Sequence, residues 1–187
     1  MLYFGDKTFS KMKKQKVNND AVYVGIDPDK DKSGVAVIID NEITLFDGSF
    51  AEVYKEIMML NRSCKRPVKV YIEAAWLSKG NWHLNPSDSI FVASKIGYSI
   101  GENHTVGRLL YELLLDNGVD VTPIKPLAKF WGNKTKKPDA KPKRTNDKIS
   151  HEELAQELAN FGISGLGKTS NPEKRDAALI ALWYSMI

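Results

Sequence analysis

The chain has 187 residues, 42% apolar and 27% charged: the balance of a soluble globular protein, with length for one domain that buries its own core. A single cysteine, Cys64, and the lack of any apolar run near the ~18–20 residues of a bilayer span exclude a disulfide framework, a cysteine zinc site and a membrane helix, so a reducing, cytoplasmic compartment is expected. The net charge of +4 is uneven: nine Lys or Arg against two Asp between Lys125 and Lys148, five Lys against two Asp in residues 1–20, and a net −6 on the remainder.

Residues 1–20 lack periodicity and read as a flexible basic arm; with no long apolar stretch after the lysines, they are not expected to be a secretory signal. The rest, 21–187, reads as the folded domain. Residues 21–27 form a buried strand, and Asp29 to Gly34 a turn. Val35 to Ile39 is a second strand, Asp40-Asn41-Glu42 a tight turn, and Ile43 to Phe46 a third strand, completing an antiparallel meander. Residues 50–61 have helical spacing. Residues 68–73 are a fourth strand. Asn85-Pro86-Ser87-Asp88 reads as a helix start, and the glycines around Tyr98 to Asn103 are expected to break that helix. A second helix through Val106, Leu109, Leu110, Leu113 and Leu114 stops at Asn117-Gly118. Val119 to Ile124 is a fifth strand, followed by a basic loop at about 129–148. Ser150-His151-Glu152-Glu153 is a capping box, and Asn171-Pro172 opens the last helix. Three antiparallel strands followed by parallel strands separated by helices predict an α/β protein: a five-stranded mixed sheet with helices on both faces.

Asp27 and Glu73 each end an apolar strand. Asp176 opens the last amphipathic helix, and Glu173 lies three residues earlier, on the same helical face. Two adjacent parallel strands ending in acids, crossed by an acidic helix start, would make an anionic pocket that needs cations, as in two-metal phosphodiesterase sites. Three of the acids also have a plainer role. Asp27 suits a strand-to-turn step, Glu73 a salt bridge, and Glu173 the positive end of a helix. Asp176 borders a buried stripe and needs a partner or a metal.

Val24-Gly25-Ile26-Asp27-Pro28 followed by Ser33-Gly34-Val35-Ala36-Val37-Ile38 resembles the opening strand and hairpin of RuvC-type Holliday-junction resolvases. Val70-Tyr71-Ile72-Glu73 resembles their second acidic strand, and Glu173-Lys174-Arg175-Asp176-Ala177-Ala178-Leu179 their C-terminal acidic helix, with Glu in place of the first Asp. Gly107 to Pro126 and Lys148 to Glu153 are similar to the corresponding stretches of phage-type members. The resemblance spans about residues 21–187. It implies an RNase H-like fold and a crossover junction endodeoxyribonuclease. Asp27, Glu73, Glu173 and Asp176 would be catalytic and would bind two Mg²⁺ or Mn²⁺ ions. The products would carry 5′-phosphate and 3′-hydroxyl ends. The implied partners are branched DNA and a second copy in a homodimer, with no membrane and no small-molecule cofactor.

Lys125, Lys129, Lys134, Lys136, Lys137, Lys141, Lys143 and Arg144 are candidate phosphate contacts, although a solvated loop explains the run equally well. Trp76, Trp82 and Trp131 could stack on bases or pack in the core. His83, His104 and His151 lack metal-ligand spacing, and His151 is expected to be exposed. Other RNase H-like nucleases, a non-catalytic DNA-binding domain of that fold, and an actin-like ATPase fragment are the competing readings. The last would need a second such domain.

Overall fold

Alternation along β1 (Val22–Asp27) divides the interior into two layers. Val22, Val24 and Ile26 enter one cluster, while Tyr23 enters the other. β2 (Ser33–Ile39) follows the same rule, with Val35 and Val37 in the first cluster and Ala36 and Ile38 in the second. The structure, a computed structural model, describes residues 3–4, 7–8, 16–78, 89–126 and 148–187. β3 (Glu42–Gly48), β4 (Val68–Glu73) and β5 (Asp120–Ile124) complete a sheet of order β3-β2-β1-β4-β5. β2 runs antiparallel to β1 and β3, and β1, β4 and β5 are mutually parallel. The chain therefore has the α/β fold that the strand pattern predicts, a five-stranded mixed sheet with three antiparallel strands first and helices on both faces.

Helices cover both faces. α1 (Phe50–Ser63) and α2 (Ile90–Asp116) bury Val53, Ile57, Met58, Leu110 and Leu114 in the first cluster. α3 (His151–Asn160) and α4 (Pro172–Tyr184) bury Leu154, Leu158 and the run Ala177 to Trp183 in the second. The capping box at Ser150 and Glu153 and the N-cap at Asn171 form as expected. Asp40 and Asn41 take φ of 51° and 61°, the left-handed pair that turns β2 into β3.

Two details differ from the sequence reading. α2 runs unbroken through Gly97 and Gly101 for 27 residues. Each glycine costs about 1 kcal/mol against alanine, but the C-terminal half is anchored by Leu110 and Leu114, both 0% exposed. The helix cap is Ser89, whose side chain accepts from Val92 N–H; the expected start at Asn85 to Asp88 lies outside the described residues. At the other end, Tyr3–Phe4 and Lys7–Thr8 pair as short antiparallel strands, and Val17 is buried in the second cluster, with Asn18 N–H donating to Ser185 C=O at 2.7 Å. The packed body thus begins a few residues before Ala21. No helix among the described residues is long and apolar enough to cross a membrane.

Candidate functional site

Sheet register aligns the acids. Asp27 pairs with Gly34 of β2, and Gly34 pairs with Asp47 of β3. On the other side, β1 and β4 pair from Val22 with Val68 through Ile26 with Ile72. One further step sets Asp27 beside Glu73, which itself pairs with Ile124 of β5. Asp47, Gly34, Asp27, Glu73 and Ile124 therefore form one row across the sheet. Strand alternation gives the row a single face. It shares parity with Leu45, Ala36 and Tyr71, which all pack in the cluster beneath α4.

α4 meets that row with its first turn. A Cβ on Gly34 would stand 2.3 Å from Glu173 C and O and 2.7 Å from Lys174 N. Lower on β1, a Cβ on Gly25 would stand 2.2 Å from Ala177 O. Two glycines thus let the helix lie directly on the strands, and its N-terminus points at the row of acids. Asp176 is 2% exposed, a buried carboxylate in the second turn of α4. Asp27 and Glu73 are half-buried. Two carboxylate oxygens, Glu73 Oε2 and Asp176 Oδ1, are enclosed and accept no hydrogen bond, while both side chains make other interactions. Glu173 is more open and lies 3.8 Å from Lys148 Nζ.

Local structure fixes these positions. Asp29 Oδ1 accepts from Asp31 and Lys32 N–H, closing the turn after β1. α2 braces that turn: Asn103 accepts from Lys30 N–H at 2.9 Å and donates to Asp29 Oδ2, and Lys30 pairs with Glu102 at 2.8 Å. The Asn171 side chain accepts from Lys174 N–H at 2.9 Å, capping α4. Arg175 donates to the carbonyls of Ile149 and Ser170, tying the entry of α3 to α4.

The donor set is of the kind that hard divalent cations take, carboxylate oxygens from strand ends and a helix start. Among the described residues, however, no group of three or more His, Cys, Asp or Glu is disposed to hold a metal ion. Row and helix start bring the acids to one end of the sheet without closing a ligand cage.

Solved structures similar to the chain include T. thermophilus RuvC in complex with a Holliday junction substrate, at a TM-score of 0.43 and 18% identity, covering 88% of this chain and 93% of that one. No family profile and no curated protein matches.

Of the candidate phosphate contacts, Lys125 is exposed and directly follows Ile124, at the acid end of the sheet. Lys129, Lys134, Lys136, Lys137, Lys141, Lys143 and Arg144 lie outside the described residues, as do Trp82 and Trp131. Trp76 packs in the first cluster with its ring 6.5 Å from Tyr111, so its role here is packing. His151 is not simply exposed. It is half-buried, with Nδ1 2.9 Å from Ser170 Oγ, because the Arg175 contacts draw the Ser170 loop onto α3. Sequence reading placed Gly34 in a turn and assigned Asp47 to no element, so neither stood out as part of the site. Two surface hollows, along α1 and along α2, include none of the acids.

Proposed function

We propose that the chain is a metal-dependent endodeoxyribonuclease that cuts four-way DNA junctions. The reading is carried by one observation, the shared row and face of Asp27 and Glu73 beneath the acidic start of α4. The motif resemblance and the basic stretch after β5 agree with it. Asp27, Glu73, Glu173 and Asp176 would hold two Mg²⁺ or Mn²⁺ ions. When bound, such ions supply Lewis acidity, activating water and neutralising charge on the departing 3′ oxygen. The rigid strand ends keep Asp27 and Glu73 side by side. The α4 N-cap and the Arg175 ties fix the start of α4, which carries Glu173 and Asp176, at the same end of the sheet. Lys125 and the following basic residues track the backbone, and a homodimer would present two sites to symmetric strands. Cleavage would leave 5′-phosphate and 3′-hydroxyl ends.

A second reading is a DNA-binding domain of the same fold that does not cut. It is favoured by the lack of a closed group of three ligands among the described residues. A synthetic four-way junction, a duplex and an RNA–DNA hybrid, each incubated with and without Mg²⁺, separate the two. Mg²⁺-dependent cutting of the junction alone is expected; junction binding without cutting in any divalent cation selects the second reading.

Neutralising Lys134, Lys136, Lys137 and Lys141 to Gln together is expected to weaken junction binding and flatten its salt dependence by up to about 3.6 units of slope. The slope of log K against log salt measures this directly. An unchanged slope would mean that these lysines do not contact the DNA backbone.

A further inference from the structure

Asp47 belongs to the same row as Asp27 and Glu73, yet its contacts are with α4. Its Oδ1 is 2.7 Å from Lys174 Nζ, and its Oδ2 accepts from Asn171 Nδ2 at 3.1 Å. Those two residues flank Glu173. Asn171 is the N-cap of α4, and its side-chain oxygen accepts from Lys174 N–H. Asp47, Asn171 and Lys174 thus close a ring of three hydrogen bonds around the first turn. Directly beneath that turn lies Gly34, the cross-strand neighbour of both Asp47 and Asp27. The start of α4 is therefore pinned to the outer strand on one side of Gly34, while Asp27 and Glu73 lie on the other side.

We propose that Asp47 is a positioning residue: from the edge strand it holds the first turn of α4 on Gly34, and so sets Glu173 and Asp176 opposite Asp27 and Glu73. The functional half of this inference rests on the nuclease reading. Chemistry distinguishes Asp47 from the other acids. Its hydrogen bond with Lys174 holds the carboxyl below the usual carboxylate range, with Lys32 and Asn171 adding to the effect. Asp47 stays ionised as an anchor and is committed to two donors of this chain. Its partner Lys174 is mostly covered, at 23% exposure, so the pair is held in place rather than loosely solvated.

The test uses the full chain, with Asp47→Ala, Asp47→Asn and Asp27→Asn beside the unaltered protein. Amide hydrogen exchange is followed without metal, and Mn²⁺ binding by calorimetry. Asp47→Ala is expected to speed exchange at Lys174, Arg175 and Asp176 by about tenfold, with β1 and α1 amides unchanged. It should also weaken Mn²⁺ binding by about tenfold, the usual effect of losing an outer support of a metal site. Asp47→Asn keeps an acceptor oxygen and should recover most of the protection. Unchanged exchange at the α4 start in Asp47→Ala overturns the anchor. Mn²⁺ binding kept in Asp47→Ala but lost in Asp27→Asn overturns the positioning role and leaves the nuclease reading standing. Absence of Mn²⁺ binding by the unaltered protein removes both.

Discussion

Asp27→Asn and Glu73→Gln are each expected to lower junction cleavage by at least about 10³-fold, a barrier increase of about 4 kcal/mol, while junction affinity measured without divalent cation is expected to stay within about twofold. Both substitutions keep side-chain volume and remove one negative charge. The strands carrying them are central: β1 and β4 pair with each other and have a further strand on their outer sides. The backbone under each carboxylate is therefore fixed by ladder hydrogen bonds, and neither change should move it. A metal contributes several kcal/mol to phosphodiester hydrolysis, and an amide oxygen is a poor substitute for a carboxylate at a hard cation. Affinity is expected to survive because backbone contacts from basic residues dominate DNA binding, and these lie elsewhere in the chain. Single-turnover cleavage and gel-shift titration measure the two quantities separately. Full cutting by both variants would remove the metal assignment; loss of binding along with cutting would mean that these acids support the fold.

Much of this arrangement is legible in the residues, for a physical reason. Val22 to Ile26 and Val68 to Ile72 are apolar, β-rich runs short enough to be strands, and an acid at the end of each is conspicuous because carboxylates seldom sit in buried sheets. The Asn171-Pro172 start of α4 and the capping box at Ser150 are local signals, and local signals survive folding. Less legible were the ends of the strands. Gly34 and Asp47-Gly48 carry the residue types of turns, so β2 and β3 read as starting late and stopping early. In the fold these residues pair because α4 needs a glycine beneath it, and because Asp47 gains Asn171 and Lys174 as partners 124 and 127 positions along the chain. No local pattern announces a contact of that range. The unbroken α2 is another case: two glycines weaken the helix locally, and packing at Leu110 and Leu114 overrides them.

Gly25→Ala is expected to cost about 3 kcal/mol or more, at the upper end of overpacking costs, and to lower the melting temperature by roughly 6–12 °C for a chain of this size. The added methyl would meet Ala177 O at 2.2 Å, Ala181 N at 2.6 Å and Ile180 Cβ at 3.0 Å. Two of these are backbone atoms in the middle of α4, where Ala177 to Leu182 are all 0% exposed. No side chain can rotate away, so the helix must lift from the central strand and open the second cluster. Gly34→Ala makes an equally close contact, but with Glu173 and Lys174 at the half-exposed helix start. That turn can rise while the body of α4 stays seated. Gly34→Ala should therefore lose less stability than Gly25→Ala and yet lose most of its cleavage, since the first turn carries Glu173 and leads into Asp176. Thermal unfolding and single-turnover cleavage of the two variants give the comparison. A melting temperature for Gly25→Ala within about 2 °C of the unaltered protein, less than 1 kcal/mol on the same scale, would mean that α4 does not rest on β1, and the approach of its acids to Asp27 and Glu73 would fail with it.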